Sequence, residues 1–66
     1  MLRKRLARNV RRLRNERGLS LEQAAGDVDM HARHWQKLEA AEIGVSLRTL
    51  DKLAVALNTE VSDLLR

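Results

Sequence analysis

The chain has 66 residues, no cysteine, no proline and a formal net charge of +4. This length allows one small domain, and the lack of cysteine excludes disulfides and cysteine-based zinc sites. No apolar run approaches the roughly 18 residues that cross a membrane, and no apolar segment of a secretory signal follows the basic amino terminus. We therefore expect a cytoplasmic protein with an anionic partner. A core this small also favours a homodimer.

The first quarter of the chain predicts one amphipathic helix. Apolar residues recur there at steps of four, four and three: Leu2, Leu6, Val10 and Leu13. This stripe predicts a helix from about residue 2 to residue 16, which Gly18 closes in the left-handed conformation. The outer side of this helix carries Lys4, Arg8, Arg11 and Arg12. Such a side flanks a DNA backbone, binds an acidic partner or is simply solvated; we take the solvated face, which assists DNA binding nonspecifically, as the default.

The next segment predicts two short helices joined by a tight turn. Ser20 and Gln23 have the spacing of a reciprocal capping box, so helix 2 begins at Ser20 and ends near Val28. Asp29 occupies the turn, because aspartate tolerates a positive φ better than most residues. Helix 3 runs from about His31 to Ala40, with Trp35 and Leu38 facing inward.

The remaining residues predict two further helices. Ser46 caps helix 4. The apolar stripe of this helix comprises Leu47, Leu50, Leu53, Ala54 and Leu57. Asn58 ends this helix in the left-handed conformation, and Val61, Leu64 and Leu65 indicate a short fifth helix. These three exceed what a small core can cover, so helix 5 and the end of helix 4 are the expected dimer surface. Apolar and polar residues do not alternate with the period of two that strands require, so we predict no strands. The predicted fold class is all-α, and residues 1–66 form one compact five-helix bundle.

In this register the sequence resembles the phage-repressor and Cro type of helix-turn-helix domain, the lambda-repressor-like or XRE-like family. The resemblance covers nearly the whole chain, with the motif at about residues 20–40. The residues that carry it are Arg14, Gly18-Leu19-Ser20, Ala25, Val28, Trp35, Leu38, Glu39, Ser46-Leu47, Leu50, Leu53-Ala54, Asn58 and Leu64-Leu65. Ala25 stands where helices 2 and 3 of the family cross, a position that needs a small side chain.

The resemblance implies a sequence-specific transcriptional regulator that binds double-stranded DNA, as a homodimer on a pseudo-palindromic operator. Helix 3 would enter the major groove and read bases with Ala32, Arg33, Gln36 and Lys37. The resemblance also implies phosphate contacts near His31, His34 and Arg48. Arg14 and Glu39 occupy the positions of the family's structural ion pair between helices 1 and 3.

The sequence departs from the family pattern at three positions, and two of them, Leu21 and Asp29, leave a second function open. Leu21 replaces a glutamine that contacts the DNA backbone, and Asp29 replaces the usual turn glycine. Ala24 replaces a leucine, and we hypothesise that the large Trp35 fills the space that Ala24 leaves. The alternative function is a protein-interaction module with weak DNA contact, such as an antitoxin or a coactivator-like adaptor, which would have a protein partner.

No other chemistry is indicated. His31 and His34 lie three apart and could share a metal with Asp27, but nothing in the spacing requires a metal, and exposed histidines explain the pair. Ser20 and Ser46 are explained as helix caps, and no serine has an evident base partner. We therefore expect no enzyme activity, no metal and no cofactor.

Overall fold

The computed structural model describes residues 2–66 and contains five helices, which confirms the all-α prediction. They are α1 (Leu2–Glu16), α2 (Leu21–Asp27), α3 (Ala32–Glu39), α4 (Leu47–Ala56) and α5 (Val61–Leu64). No strand occurs in this part of the chain. None of the five helices is long and apolar enough to cross a membrane.

All five helices contribute buried side chains to one core, which surrounds Trp35. The largest fully buried side chains of this core are Trp35 and Leu38 of α3, Val10 of α1, Leu53 of α4 and Leu64 of α5. The buried Asn9 side chain donates from Nδ2 to the Leu64 carbonyl at 2.9 Å, so this polar group is satisfied and ties α1 to α5.

Two apolar residues do not lie where the sequence pattern placed them. Leu64 is 0% exposed, so it belongs to the core and not to the predicted dimer surface, because α5 packs against α1. Leu47 has the angular position of the α4 stripe but is 81% exposed. As the first residue of α4, it lies at the end of the bundle, where it lines a shallow groove with Leu2. The buried stripe of α4 therefore begins at Leu50.

Side chains cap the starts of α2 and α4 as predicted. The Ser20 hydroxyl accepts from the Gln23 amide at 3.1 Å, and the Gln23 side chain accepts from the Ser20 amide at 2.9 Å. Ser46 accepts from the Thr49 amide at 3.1 Å. Since the first amides of a helix have no partner within it, these bonds define where α2 and α4 begin.

Two residues after the last residue of each of the first four helices, the backbone has a positive φ. The residues at these positions are Gly18 (67°), Asp29 (54°), Ala41 (61°) and Asn58 (51°). The amide that follows each of them donates back to the helix: Leu19 to Arg14, Met30 to Ala25, Glu42 to Lys37 and Thr59 to Ala54. This is the Schellman arrangement. Glycine adopts a positive φ freely, and asparagine and aspartate adopt it readily, but a positive φ is strained for alanine.

A buried ion pair connects α1 to α3. The Arg14 guanidinium donates to both Glu39 carboxylate oxygens, at 2.6 and 3.1 Å, and to the Leu19 carbonyl at 2.9 Å. The Trp35 indole N–H donates to the same carboxylate at 2.5 Å. The hydrogen bonds to Glu39 raise the pKa of Arg14 above its ordinary value, against the opposing effect of burial. Both side chains are largely buried, at 13% and 9% exposure.

The burial of this ion pair predicts a large cost for neutralising one partner. We expect Glu39→Gln to lower the free energy of unfolding by about 3 kcal/mol or more, because Arg14 then remains buried without a counter-charge. The matched control is Glu16→Gln, which breaks the exposed Arg12–Glu16 pair (3.2 Å) and should cost below about 0.5 kcal/mol. Urea denaturation followed by far-UV circular dichroism measures both. Equal costs would contradict the role assigned to Glu39.

The strained end of α3 predicts a stabilising substitution. We expect Ala41→Gly to raise the free energy of unfolding by roughly 1 kcal/mol, because Ala41 has a φ of +61° that glycine adopts without a Cβ clash. The neighbouring Ala40 has a φ of −87°, so Ala40→Gly gains nothing and should be destabilising by up to about 1 kcal/mol. Thermal and urea unfolding of the two variants compare them directly. Effects of the same sign would refute the interpretation.

Candidate nucleic-acid interface

Small side chains allow α2 to approach α3 closely. Ala24 and Ala25 of α2 are 2% and 1% exposed, and the two helices pack directly on each other. The turn between them closes when the Met30 amide donates to the Ala25 carbonyl at 2.8 Å. Ala24 and Trp35 belong to the same apolar cluster, but whether Trp35 compensates for the small Ala24 stays a prediction. This packing leaves the opposite side of α3 free.

The outer face of α3 presents long polar side chains to solvent. Arg33, Gln36 and Lys37 are exposed, whereas Ala32 is only partly exposed at one edge of this face. Gln36 and Lys37 follow Arg33 by three and four residues, so the three long side chains share one side of the helix, away from the buried Trp35 and Leu38. Among residues 2–66, none of these three side chains is engaged in a hydrogen bond or ion pair. Their donors and acceptors are available to a ligand.

The start of α3 is open to an anion. His31 is the residue before the helix, and its side chain makes no capping hydrogen bond. The free amides of the first turn, which carry the positive end of the helix dipole, are suited to a phosphate. His34 lies in the first turn of α3, and both histidines are exposed.

A shallow hollow joins this helix start to α4. It is lined by Val28, Asp29, Met30, His31, His34, Thr49 and Lys52. Thus the structure brings the two predicted histidines together and adds Thr49 and Lys52, which the sequence analysis missed. Arg48 is exposed at the start of α4 but does not line the hollow. The three-residue spacing of Thr49 and Lys52 marks one side of α4, yet only the tertiary packing shows what this side faces.

The acidic residues near this surface do not form a metal site. Asp29 lies in the hollow with the two histidines. Within residues 2–66, no three histidine, cysteine, aspartate or glutamate side chains are close enough together to hold a metal ion. The Asp29 carboxylate instead places a negative charge beside Lys52 and the open start of α3. This carboxylate reduces, but does not cancel, the attraction of a polyanion to this side, where Arg33, Lys37 and Lys52 are exposed.

Comparison with known proteins relates this geometry to a family. The family model described as "Helix-turn-helix domain" matches residues 5–66. Control protein C.SmaI of Serratia marcescens is 47% identical over 60 residues, which are 91% of this chain and 71% of that protein. A hypothetical transcription factor, NHTF from Neisseria, has a similar structure, with a TM-score of 0.93 and 29% identity over 100% of this chain and 76% of the other.

A second solved structure has the same fold. The clp gene regulator ClgR from Corynebacterium glutamicum superimposes with a TM-score of 0.92 and 28% identity, over 98% of this chain and 69% of that chain. The names of these relatives describe a control protein, a transcription factor and a gene regulator, and none describes an enzyme. The family match also extends beyond the two-helix motif to all five helices. The chain belongs to the XRE-like helix-turn-helix family of DNA-binding transcriptional regulators.

Proposed function

We propose that this protein regulates transcription by placing α3 in the major groove of a specific operator, as a homodimer and without enzyme activity. The observation that carries the proposal is the outer face of α3, where Arg33, Gln36 and Lys37 are exposed and have no protein partner in the described chain. A helix with free hydrogen-bonding side chains on one side and a buried opposite side is suited to reading base edges. The cytoplasm is the compartment that this function implies.

The four side chains of α3 would contact different features of a base pair. The Arg33 guanidinium matches the O6 and N7 atoms of guanine, and the Gln36 amide matches adenine. Lys37, one turn after Arg33, reaches a further base or a phosphate. Ala32 is partly buried, so only its methyl group at the edge of the face would contact a thymine methyl.

Phosphate contacts would orient α3 in the groove. His31 and His34 share their hollow with Thr49 and Lys52, and together with the open amides of α3 they form a surface for one stretch of backbone. Arg48, the second residue of α4, would contact a neighbouring phosphate. Such contacts carry little sequence information but set the register of the protein on the duplex.

The proposed dimer surface lies on α4 and α5. Val55 is 82% exposed and lines a shallow hollow with Asp51, Glu60 and the partly buried Val61. In a two-fold interface the same patch faces itself. Val55 of one protomer would then contact Val55 of the other. Two recognition helices about 34 Å apart would match half-sites separated by one DNA turn.

Selection of bound duplexes from a randomised DNA pool at moderate salt tests the reading function. We expect an enriched pseudo-palindrome, in which Arg33→Lys relaxes the preference at one position of each half-site by about 1–3 kcal/mol. Lysine keeps the charge of arginine but loses its two-pronged geometry, so the salt dependence of binding should not change. The control Arg17→Lys alters an exposed arginine outside α3 and should leave the enriched sequence intact.

The result that would overturn this proposal is specific. If no sequence is enriched and binding vanishes as salt rises, α3 does not read bases. The protein-interaction alternative, an antitoxin or adaptor with a protein partner, would then replace the DNA-reading function. If Arg33→Lys preserves every base preference while binding is intact, Arg33 is not a reading residue.

Two equally exposed apolar residues test the dimer surface. Val55 and Leu47 are 82% and 81% exposed, but only Val55 lies on the proposed interface. We expect Val55→Glu to convert the dimer into a monomer, because it places a carboxylate beside Asp51 and Glu60. Leu47→Glu should leave the mass of the dimer in solution unchanged. Sedimentation equilibrium measures both masses, and a dimer that survives Val55→Glu, or that Leu47→Glu dissociates, would contradict the assignment.

A further inference from the structure

Positive charge is concentrated away from the helix-turn-helix motif. Residues 1–17 contain eight of the 13 basic residues and one acid, Glu16, whereas residues 18–66 contain five basic and eight acidic residues. Within the motif, Arg33 and Lys37 are outnumbered by Glu22, Asp27, Asp29 and Glu39. The part of the protein that reads bases is therefore not the part that attracts a polyanion most strongly.

The basic residues of α1 form one continuous face. Its members are Lys4, Arg5, Arg8, Arg11 and Arg12, all exposed, on the side opposite the buried Leu6 and Val10. Each residue of a helix rises by about 1.5 Å, so the α1 basic face extends about 12 Å along the helix axis from Lys4 to Arg12. Like charges four residues apart, as at Lys4 and Arg8, destabilise a helix by about 0.2–0.5 kcal/mol. The spacing of these cations therefore does not itself stabilise the helix.

Much of this face has no protein partner. Arg12 pairs with Glu16 at 3.2 Å, and Arg8 donates to the Arg66 carbonyl at 3.0 Å. Lys4, Arg5 and Arg11 make no side-chain hydrogen bond or ion pair within residues 2–66. At least three cations are consequently free to contact a ligand.

The α1 basic face and the outer face of α3 are directed to different sides of the domain. The inner sides of α1 and α3 pack against each other, and the Arg14–Glu39 pair bridges them at 2.6 Å. The domain measures 25 × 22 × 20 Å, whereas exposed charges are largely screened beyond a Debye length of about 8–10 Å at physiological salt. The cations of α1 therefore contribute little to holding a straight duplex against α3.

We propose that the α1 basic face is a second nucleic-acid-binding surface, which holds the phosphate backbone of another DNA segment. A duplex carries one phosphate charge per about 1.7 Å of axis, so about seven phosphates lie opposite the 12 Å face. Cations alone suffice for such contacts. The attraction of this face to phosphate does not depend on the proposed role of α3. Bridging between an operator and a second DNA segment does rest on that proposed role.

The composition of the face favours nucleic acid over other anionic partners. Protein interfaces are depleted of charge at their centre and enriched in aromatic and apolar side chains. A helix that binds a membrane surface needs an apolar side to insert. The α1 basic face has neither, because the other exposed side chains on this side of the helix are Asn15 and Glu16. The exposed Leu2 lies outside this face, at the start of the helix.

Two double variants of α1 test the phosphate contacts. Lys4→Gln/Arg11→Gln removes two free cations from the face, and the matched control Arg3→Gln/Arg17→Gln removes two exposed cations of the same segment outside it. Fluorescence anisotropy with a labelled random-sequence duplex gives the salt dependence of affinity. We expect the first variant to reduce the slope of log K against log salt by about 1.8, so that its affinity falls about 12-fold less than that of the unmodified protein between 50 and 200 mM salt. The control should change the slope much less.

A capture assay tests the second segment directly. Beads that carry one duplex are saturated with protein and then offered a second, labelled duplex. We expect capture by the unmodified protein and by the Val55→Glu variant, and a several-fold loss with Lys4→Gln/Arg11→Gln. The sequence enriched from a randomised pool should be the same for the last variant as for the unmodified protein.

Each alternative outcome overturns the inference in a recognisable way. Equal salt slopes for the two double variants would show that the α1 basic face is solvated and does not contact phosphate. Capture that is lost only with Val55→Glu would assign bridging to the dimer. Tighter binding of polyglutamate than of duplex at equal ionic strength would identify an acidic protein partner. Failure of the reading function is distinct, because it abolishes the enriched sequence in the unmodified protein.

Discussion

One carboxylate, that of Glu39, fixes α3 against the rest of the domain together with the buried Trp35 and Leu38. It accepts hydrogen bonds from Arg14 of α1 and from the Trp35 indole, and Arg14 also holds the Leu19 carbonyl ahead of α2. A helix of eight residues is too short to be stable alone, so its orientation must come from tertiary contacts. Because Glu39 shares one short helix with the exposed Arg33, Gln36 and Lys37, the internal ion pair also helps to orient the outer face of α3.

Local chemistry made most of the helix ends predictable. Ser20 with Gln23, Gly18 and Asn58 each favour a cap or a left-handed turn through their own side chain or lack of one, and the structure has all of them. Asp29 was predicted on the same ground. Ala41 was not, because alanine has no preference for a positive φ of 61°. There the following segment, in which Ile43 and Val45 pack on the core, imposes the conformation against the intrinsic preference of the residue.

Periodicity predicted which side of a helix a residue occupies, but not what stands opposite. It placed Arg33, Gln36 and Lys37 on one outer face, where the structure has them. It also grouped Leu47 with the buried residues of α4 and left Leu64 for an interface, and both were wrong. The neighbours of a helix end depend on how α5 returns to α1, and the same tertiary packing brings Lys52 beside His31 and His34. No spacing within one helix contains this information.

The separation of reading from attraction has a consequence for specificity. A regulator selects its operator by the difference between its specific and nonspecific affinities, and phosphate contacts on the reading side raise both. In this motif the acids Asp27 and Asp29 are exposed near the start of α3, so under the proposed function they would weaken nonspecific binding on the side that reads bases. On the proposed arrangement, the cations of α1 keep the protein near DNA through a different surface. The base contacts proposed for α3 would then decide where it stays, because the nearby acids offset part of the sequence-independent attraction on that side.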